Sequence, residues 1–193
     1  MPEVVYLTGA PAAGKSSLTH ALKTLLPNLE VFEYGEQLTA YLRTSKGSDL
    51  DQANLRSQSS LVASPDDIRA VDDMLIKFVA QRRDKAPVII DSHAVTKESY
   101  GYTVTAYSLR DFERLKPSQI WMLYTDPEIA VQRIKSDAQG RPSISVEQAR
   151  FHTNLQSSVA INYAMHLGIP VYLFDSSAPV DQLATNLAGR ISR

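Results

Sequence analysis

Two glycines, a lysine and two serines near the N-terminus have the types and spacing of a phosphate-binding loop. The segment matches G-x-x-x-x-G-K-[ST] and reads Gly9, Ala10, Pro11, Ala12, Ala13, Gly14, Lys15, Ser16 and Ser17. The glycines let successive backbone N–H groups turn toward a polyphosphate, Lys15 reaches its terminal phosphates, and the Ser16 hydroxyl can bind Mg²⁺. The apolar run 4–8 comes before the loop and a helical pattern follows it, which favours a nucleotide-binding loop over a simple glycine-rich turn.

A second candidate group is the carboxylate that ends the apolar run 88–90. Asp91 follows this predicted strand directly, and in proteins with such a loop an aspartate at this place holds Mg²⁺ directly or through water. The other interpretation is an aspartate that only caps a turn. His93, two residues later, is predicted either to orient a phosphate or Asp91, or to serve as a structural histidine.

Two arginines are candidates for contacts with the transferred phosphate. Arg133, Asp137 and Arg141 form the pattern R-x-x-x-D-x-x-x-R, in which two guanidinium groups could clamp phosphates and neutralise charge in the transition state. Alternatively, Arg133 and Asp137 form an i,i+4 pair on a solvated helix face. We predict Lys15, Asp91, Arg133 and Arg141 as the catalytic set, with Arg133 also contacting the nucleotide.

Three residues are candidates for binding a phosphate acceptor. Arg56 is the single arginine in the polar segment 44–60 and could meet an anionic group, or it could be an exposed loop charge. Gly35 could let an acceptor approach the backbone closely, or it could be a turn glycine. His93 is the third candidate.

Composition limits the other possibilities. The chain has 193 residues, a net charge of −1 and no cysteine, which excludes disulfides, thiolate catalysis and cysteine-ligated zinc. We expect one domain, residues 1–193, in the cytoplasm. The charge balance argues against nucleic acid as a partner, and the absence of a long apolar run argues against a membrane partner. The sequence does not indicate an oligomeric state.

Short apolar runs alternate with helical patterns, which predicts an α/β fold with a mainly parallel sheet. The predicted strands are 4–8, 29–32, 88–90, 120–124 and 171–174. Ser64 followed by Pro65 is a helix start, Ser145 and Gln148 form a capping box, and Gly168 ends that helix. The polar segments 44–60 and 136–145 are predicted to be excursions from the sheet.

These motifs resemble those of P-loop kinases of the nucleoside-monophosphate kinase type, above all archaeal-type adenylate kinases. The resemblance rests on residues 9–17, 88–94, 101–102 and 160–168, and residues 175–180 resemble the turn that lies against the ATP base in such kinases. It implies a three-layer P-loop kinase sandwich with five parallel strands in the order 2-3-1-4-5 and helices on both faces. It also implies ATP and Mg²⁺ as cofactors, an acceptor-binding arm at about 34–64 and a lid at about 136–145.

Three functions are compatible with the sequence at this point. The first is transfer of the γ-phosphate of Mg-ATP to a nucleoside monophosphate, a small-molecule phosphate acceptor that is already anionic. The second is phosphorylation of a hydroxyl on a nucleoside, sugar or antibiotic, in which Asp91 would accept the hydroxyl proton. The third is an ATP-binding module that hydrolyses ATP slowly.

Overall fold

The computed structural model describes residues 2–46, 63–105, 107–136 and 143–191. Its strands are β1 (Val4–Gly9), β2 (Glu30–Glu33), β3 (Val88–Asp91), β4 (Val95–Glu98), β5 (Gly101–Val104), β6 (Gln119–Tyr124) and β7 (Val171–Asp175). Its helices are α1 (Lys15–Leu25), α2 (Tyr34–Lys46), α3 (Pro65–Arg82), α4 (Leu109–Leu115), α5 (Pro127–Ser136), α6 (Val146–Leu167) and α7 (Val180–Ile191). Within these ranges no helix combines the length and apolar character that crossing a membrane would require.

Five strands form one parallel sheet in the order β2-β3-β1-β6-β7. Numbered along the chain within this sheet, the order is 2-3-1-4-5, so the predicted topology is confirmed. Every residue of β1 and β3 is buried, which explains why both strands read as continuous apolar runs. Since parallel strands end at the same edge, Leu7, Asp91 and Glu33 lie side by side in register there.

Helices cover both faces of the sheet and complete the three predicted layers. On one face, Tyr6, Ile90 and Met122 pack with the apolar residues of α2, α3, α4 and α6. On the other face, Leu7, Ile89 and Trp121 pack with α1 and α7. Side chains alternate along each strand, so β1 contributes to both cores while its carboxyl end stays directed toward the phosphate loop.

The predicted helix ends agree with the structure. The Ser64 side chain accepts a hydrogen bond from the Asp67 N–H, and the Asp67 carboxylate accepts one from the Ser64 N–H. Ser145 and Gln148 form the same reciprocal box at the start of α6, and Gly168 ends that helix with φ of 65°. The long helix α6 therefore has a fixed beginning and end.

Helix α2 and the β4–β5 hairpin differ from the sequence prediction, and the short helix α4 was not predicted. Helix α2 starts directly after β2 and includes the first three residues of the polar segment 44–60. The hairpin formed by β4 and β5 was not predicted, although both strands pair antiparallel over four residues each. Contacts distant in sequence hold the hairpin: Gln156 of α6 accepts the Val95 N–H at 3.0 Å, and the Tyr102 hydroxyl donates to the Gln148 carbonyl at 3.0 Å. Local patterns do not reveal such contacts.

Candidate active site

The phosphate loop has a backbone shape that only a few residue types adopt easily. The Ala13 N–H donates to the Ala10 carbonyl at 3.1 Å, and Ala12 has a φ of 63°. Gly14 precedes α1 with a φ of 82° and offers no side chain as a cap, and the first turn of α1 holds no acidic residue. The first N–H groups of α1 and the positive end of its dipole are therefore available to an anion.

The two loop glycines have different physical roles. At Gly14, a Cβ would lie 3.8 Å from the nearest atom, so lack of space is not the reason for the glycine. The reason is the left-handed backbone conformation, which glycine adopts without strain. At Gly9, a Cβ would lie 2.6 Å from the backbone carbonyl of Leu123 on β6. Gly9 therefore permits the close approach of two neighbouring strands immediately before the loop.

Lys15 and Asp91 form an ion pair at the mouth of the loop. The Lys15 Nζ lies 3.5 Å from the Asp91 Oδ1, and the side chains are 15% and 10% exposed. Burial raises the pKa of Asp91, and the nearby Lys15 ammonium opposes that shift in part. The exposed Ser16 follows Lys15 in the first turn of α1. The loop thus brings together a cation, a hydroxyl and a carboxylate, the groups that a Mg²⁺-polyphosphate requires.

A second carboxylate lies next to Asp91. Glu33 ends β2 and is half-buried, and it pairs in register with Asp91. Burial raises the pKa of Glu33, as do the charges of Glu36 and Asp91, while Lys23 and Lys15 lower it. The carboxyl ends of β2 and β3 therefore carry several acidic groups among the described residues.

Arg133 connects the loop to the turn after β7. Its Nη1 donates to the Ala12 carbonyl at 3.2 Å, and its Nη2 donates to the Ser176 carbonyl at 2.9 Å. Ser176 is buried, and its hydroxyl lies 2.7 Å from the Ala13 carbonyl. Arg133 is thus beside the loop, as the sequence predicts, but its hydrogen bonds in this structure go to backbone carbonyls.

Buried polar side chains of helix α6 contact the end of β1 and the start of β4, next to the phosphate loop. Gln156 donates to the Thr8 hydroxyl at 2.8 Å while it accepts the Val95 N–H, and His152 Nε2 lies 3.0 Å from the Val95 carbonyl. Burial lowers the pKa of His152. These contacts connect the residue before the phosphate loop to the start of the β4–β5 hairpin.

Two of the other predicted residues follow the neighbouring strands β3 and β2. His93 is exposed two residues after Asp91, and Gly35 lies in the first turn of α2, just beyond Glu33. Arg56 and Arg141 lie outside the described residues, as do most of the predicted lid and the middle of the predicted arm. Within the described ranges, no three histidine or carboxylate side chains cluster closely enough to hold a metal without other ligands.

Ser176, Gln156 and Glu33 are absent from the residues predicted to form the site. Glu33 carried a usable signal, because it directly follows the predicted strand 29–32 as Asp91 follows the predicted strand 88–90. Ser176 lies in the segment 175–180 that the resemblance places against the ATP base, but its contact with the loop backbone joins groups 163 residues apart. Gln156 contacts a backbone group 61 residues away, so local patterns do not reveal either contact.

Comparisons with known proteins agree with this geometry. The family model described as an AAA domain matches residues 8–150. An adenylate kinase of Thermococcus kodakarensis is 30% identical over 176 residues, which cover 86% of this chain and 82% of that protein.

Solved structures resemble the fold over the whole chain. A sugar kinase from a Janibacter species has a TM-score of 0.59 and 16% identity, with coverage of 100% of this chain and 96% of that one. The shikimate kinase of Bacteroides thetaiotaomicron has a TM-score of 0.56 and 14% identity, with complete coverage of both chains. A phosphate loop on this sheet, together with a relative that aligns over most of both sequences, shows that the chain is an ATP-dependent kinase that belongs to the P-loop nucleoside-monophosphate kinase family and is similar to archaeal adenylate kinases.

Proposed function

We propose that this kinase transfers the γ-phosphate of Mg-ATP to a nucleoside monophosphate. The observation that carries the proposal is the Lys15–Asp91 pair, 3.5 Å apart, beside the uncapped N-terminus of α1. The choice of acceptor is supported by the similarity to a protein named adenylate kinase.

Each predicted residue has a definite role in this proposal. The loop 9–17 binds the triphosphate with its free backbone N–H groups, which exclude Pro11 and the Ala13 N–H that donates to Ala10, and Lys15 contacts the terminal oxygens. Ser16 and Asp91 would hold Mg²⁺, which would neutralise negative charge on the phosphate oxygens. The carboxylate and hydroxyl are oxygen ligands of the kind that Mg²⁺ prefers, and the rest of its coordination would come from water and phosphate.

The remaining predicted residues act on the transferring group and the acceptor. Arg133 and Arg141 would neutralise charge as the phosphate moves, and Arg56, His93 and Gly35 would contact the acceptor. A monophosphate acceptor is already anionic, so this reaction depends on alignment and charge neutralisation and requires no strong base. The arm at about 34–64 and the lid at about 136–145 would close over the two substrates.

A second candidate function is transfer of the γ-phosphate to a hydroxyl group. The environment of Asp91 favours it. The Asp91 carboxyl is buried and its pKa is raised, so its ionised form is a stronger proton acceptor than an exposed aspartate. Glu33 beside it adds negative charge, which disfavours a second phosphate and suits a neutral acceptor.

A transfer assay with matched acceptors separates the candidates. ATP labelled on its γ-phosphate and Mg²⁺ are incubated with nucleoside–monophosphate pairs such as adenosine and AMP, or cytidine and CMP, and with simple sugars. We expect labelled nucleoside diphosphates from the monophosphates and no labelled product from the nucleosides or sugars. Labelled product from nucleosides or sugars alone would establish the second candidate. Release of inorganic phosphate with no labelled acceptor would establish a slow ATPase.

A further inference from the structure

The carbonyl groups on the outer side of the phosphate loop are held by two residues from different parts of the chain. Arg133 of α5 donates to the Ala12 carbonyl, and the Ser176 hydroxyl lies 2.7 Å from the Ala13 carbonyl. Arg133 also donates to the Ser176 carbonyl. We call this closed set of hydrogen bonds among Ala12, Ala13, Arg133 and Ser176 the loop clasp.

The Ser176 hydroxyl has two nearby carbonyls but only one hydrogen to donate. Its oxygen lies 2.7 Å from the Ala13 carbonyl and 2.9 Å from the Tyr124 carbonyl. The Tyr124 carbonyl already accepts the Ser176 N–H at 2.8 Å. Donation to the Ala13 carbonyl has the shorter distance and leaves the Tyr124 carbonyl to the Ser176 N–H.

Fixing a carbonyl also fixes the N–H on the other side of the same peptide. In a planar trans peptide, the carbonyl of one residue and the N–H of the next point in opposite directions. With the Ala13 carbonyl held against Ser176, the Gly14 N–H points away from Ser176. Ala12 has a φ of 63°, which is unfavourable for alanine, so a hydrogen bond to its carbonyl helps to hold that conformation.

We propose that Ser176 is a positioning residue that keeps the phosphate loop in its phosphate-binding shape. Its buried hydroxyl acts on the loop backbone and need not touch the nucleotide. The inference uses the proposed function in one respect only: it takes this loop as the site of the ATP phosphates. It makes no assumption about the acceptor.

Calorimetric binding of inorganic triphosphate and of ATP, each with Mg²⁺, tests the proposal. Ser176→Ala should weaken both ligands by a similar factor of about ten, the usual value of one hydrogen bond. In steady-state assays the KM for ATP should rise more than kcat falls, because bound phosphates restore the loop shape. Ser176→Thr keeps the hydroxyl and should stay within about twofold of the wild type.

The matched control is Ser118→Ala. The Ser118 hydroxyl also lies 3.0 Å from a backbone carbonyl of β1, that of Val4, but at the opposite end of the strand, where the Glu3 carboxylate also accepts from it. This variant should bind both ligands as the wild type does, and circular dichroism should show that all variants are folded.

The outcomes separate failure of the clasp from failure of the proposed function. Equal affinities of the wild type and Ser176→Ala would overturn the clasp alone. Weaker binding of ATP with unchanged binding of inorganic triphosphate would also overturn it, because Ser176 would then act on the base or ribose. If the wild-type protein binds neither ligand, both the clasp and the proposed function are wrong.

Discussion

Replacing Lys15 by methionine should reduce both activity and stability, through two different effects. Methionine keeps the length and apolar stem of the side chain but removes its charge. Losing one preorganised charge at the transferring phosphate lowers kcat by about 10²–10³. The stability effect comes from Asp91, which stays buried after its cationic partner has gone.

The size of the stability effect follows from the 3.5 Å separation of the Lys15 Nζ and the Asp91 Oδ1. At this distance, the attraction between two unit charges is about 1 kcal/mol in water and about 5 kcal/mol at an effective dielectric constant of 20. In the variant, Asp91 can take up a proton and so avoid part of the free-energy cost of a buried, unpaired carboxylate. We therefore expect the free energy of unfolding to fall by about 1–3 kcal/mol at pH 8. For a chain of this length, each kcal/mol lowers Tm by about 2–4 °C.

The loss should depend on pH in a defined direction. A carboxyl whose pKa is raised on folding binds its proton more tightly in the folded state, so the free energy of unfolding falls as pH rises through the raised pKa. The pKa of Asp91 is already raised, and without Lys15 it rises further. The difference in Tm between the wild type and Lys15→Met should therefore shrink as the pH is lowered and protonation removes the unpaired charge, and it should be largest at pH 8.

Thermal melts monitored by circular dichroism, together with a transfer assay, check this reasoning. The double variant Lys15→Met/Asp91→Asn removes the unpaired charge, so it should recover most of the lost Tm at pH 8 and remain inactive. If the double variant melts no higher than Lys15→Met at pH 8, the ion pair does not stabilise the fold in the way described.

Two further predictions concern stability. Gly9→Ala should cost about 1–3 kcal/mol, because its Cβ would lie 2.6 Å from a backbone carbonyl of β6. Gly189→Ala, on α7 with no atom within 4 Å of the new Cβ, should instead gain about 0.5–1 kcal/mol; equal calorimetric Tm values for the two variants would contradict the packing argument. Hydrogen bonds from Lys46 and Ser64 lower the pKa of Asp67 to about 2. The stability that Asp67 contributes should therefore be complete above its ordinary pKa and be lost as pH falls through about 2. Urea unfolding of Asp67→Asn should show a weaker decline in stability at acid pH than the wild type, and parallel curves would refute this assignment.

Most of the sheet could be predicted from the sequence because its strands are buried on both faces. The runs at 88–90 and 120–124 are apolar throughout, and loops and helices of ordinary length separate them. The helix ends at Ser64, Ser145 and Gly168 were predictable for a different reason, since their caps involve residues within three or four positions.

The parts that were not predicted depend on contacts between distant residues. The β4–β5 hairpin has only four-residue strands, and its attachment to α6 involves Gln156 and Tyr102. In the candidate site, the glycine-rich motif identified the loop, and the apolar run 88–90 identified Asp91 at its end. The sequence of helix α5 could not predict the hydrogen-bond partners of Arg133, because they lie in the phosphate loop and in the turn after β7.

The contacts of Gln156 and His152 fix the number of residues between the start of α6 at Ser145 and these two side chains. An α-helix turns by about 100° per residue, so one residue inserted between Ser145 and His152 would rotate His152 and Gln156 away from their partners together. The Val95 N–H and the Thr8 hydroxyl would then lose their hydrogen bonds at the same time, directly beneath the phosphate loop. A change of chain length within the first three turns of α6 should therefore disrupt both contacts at once.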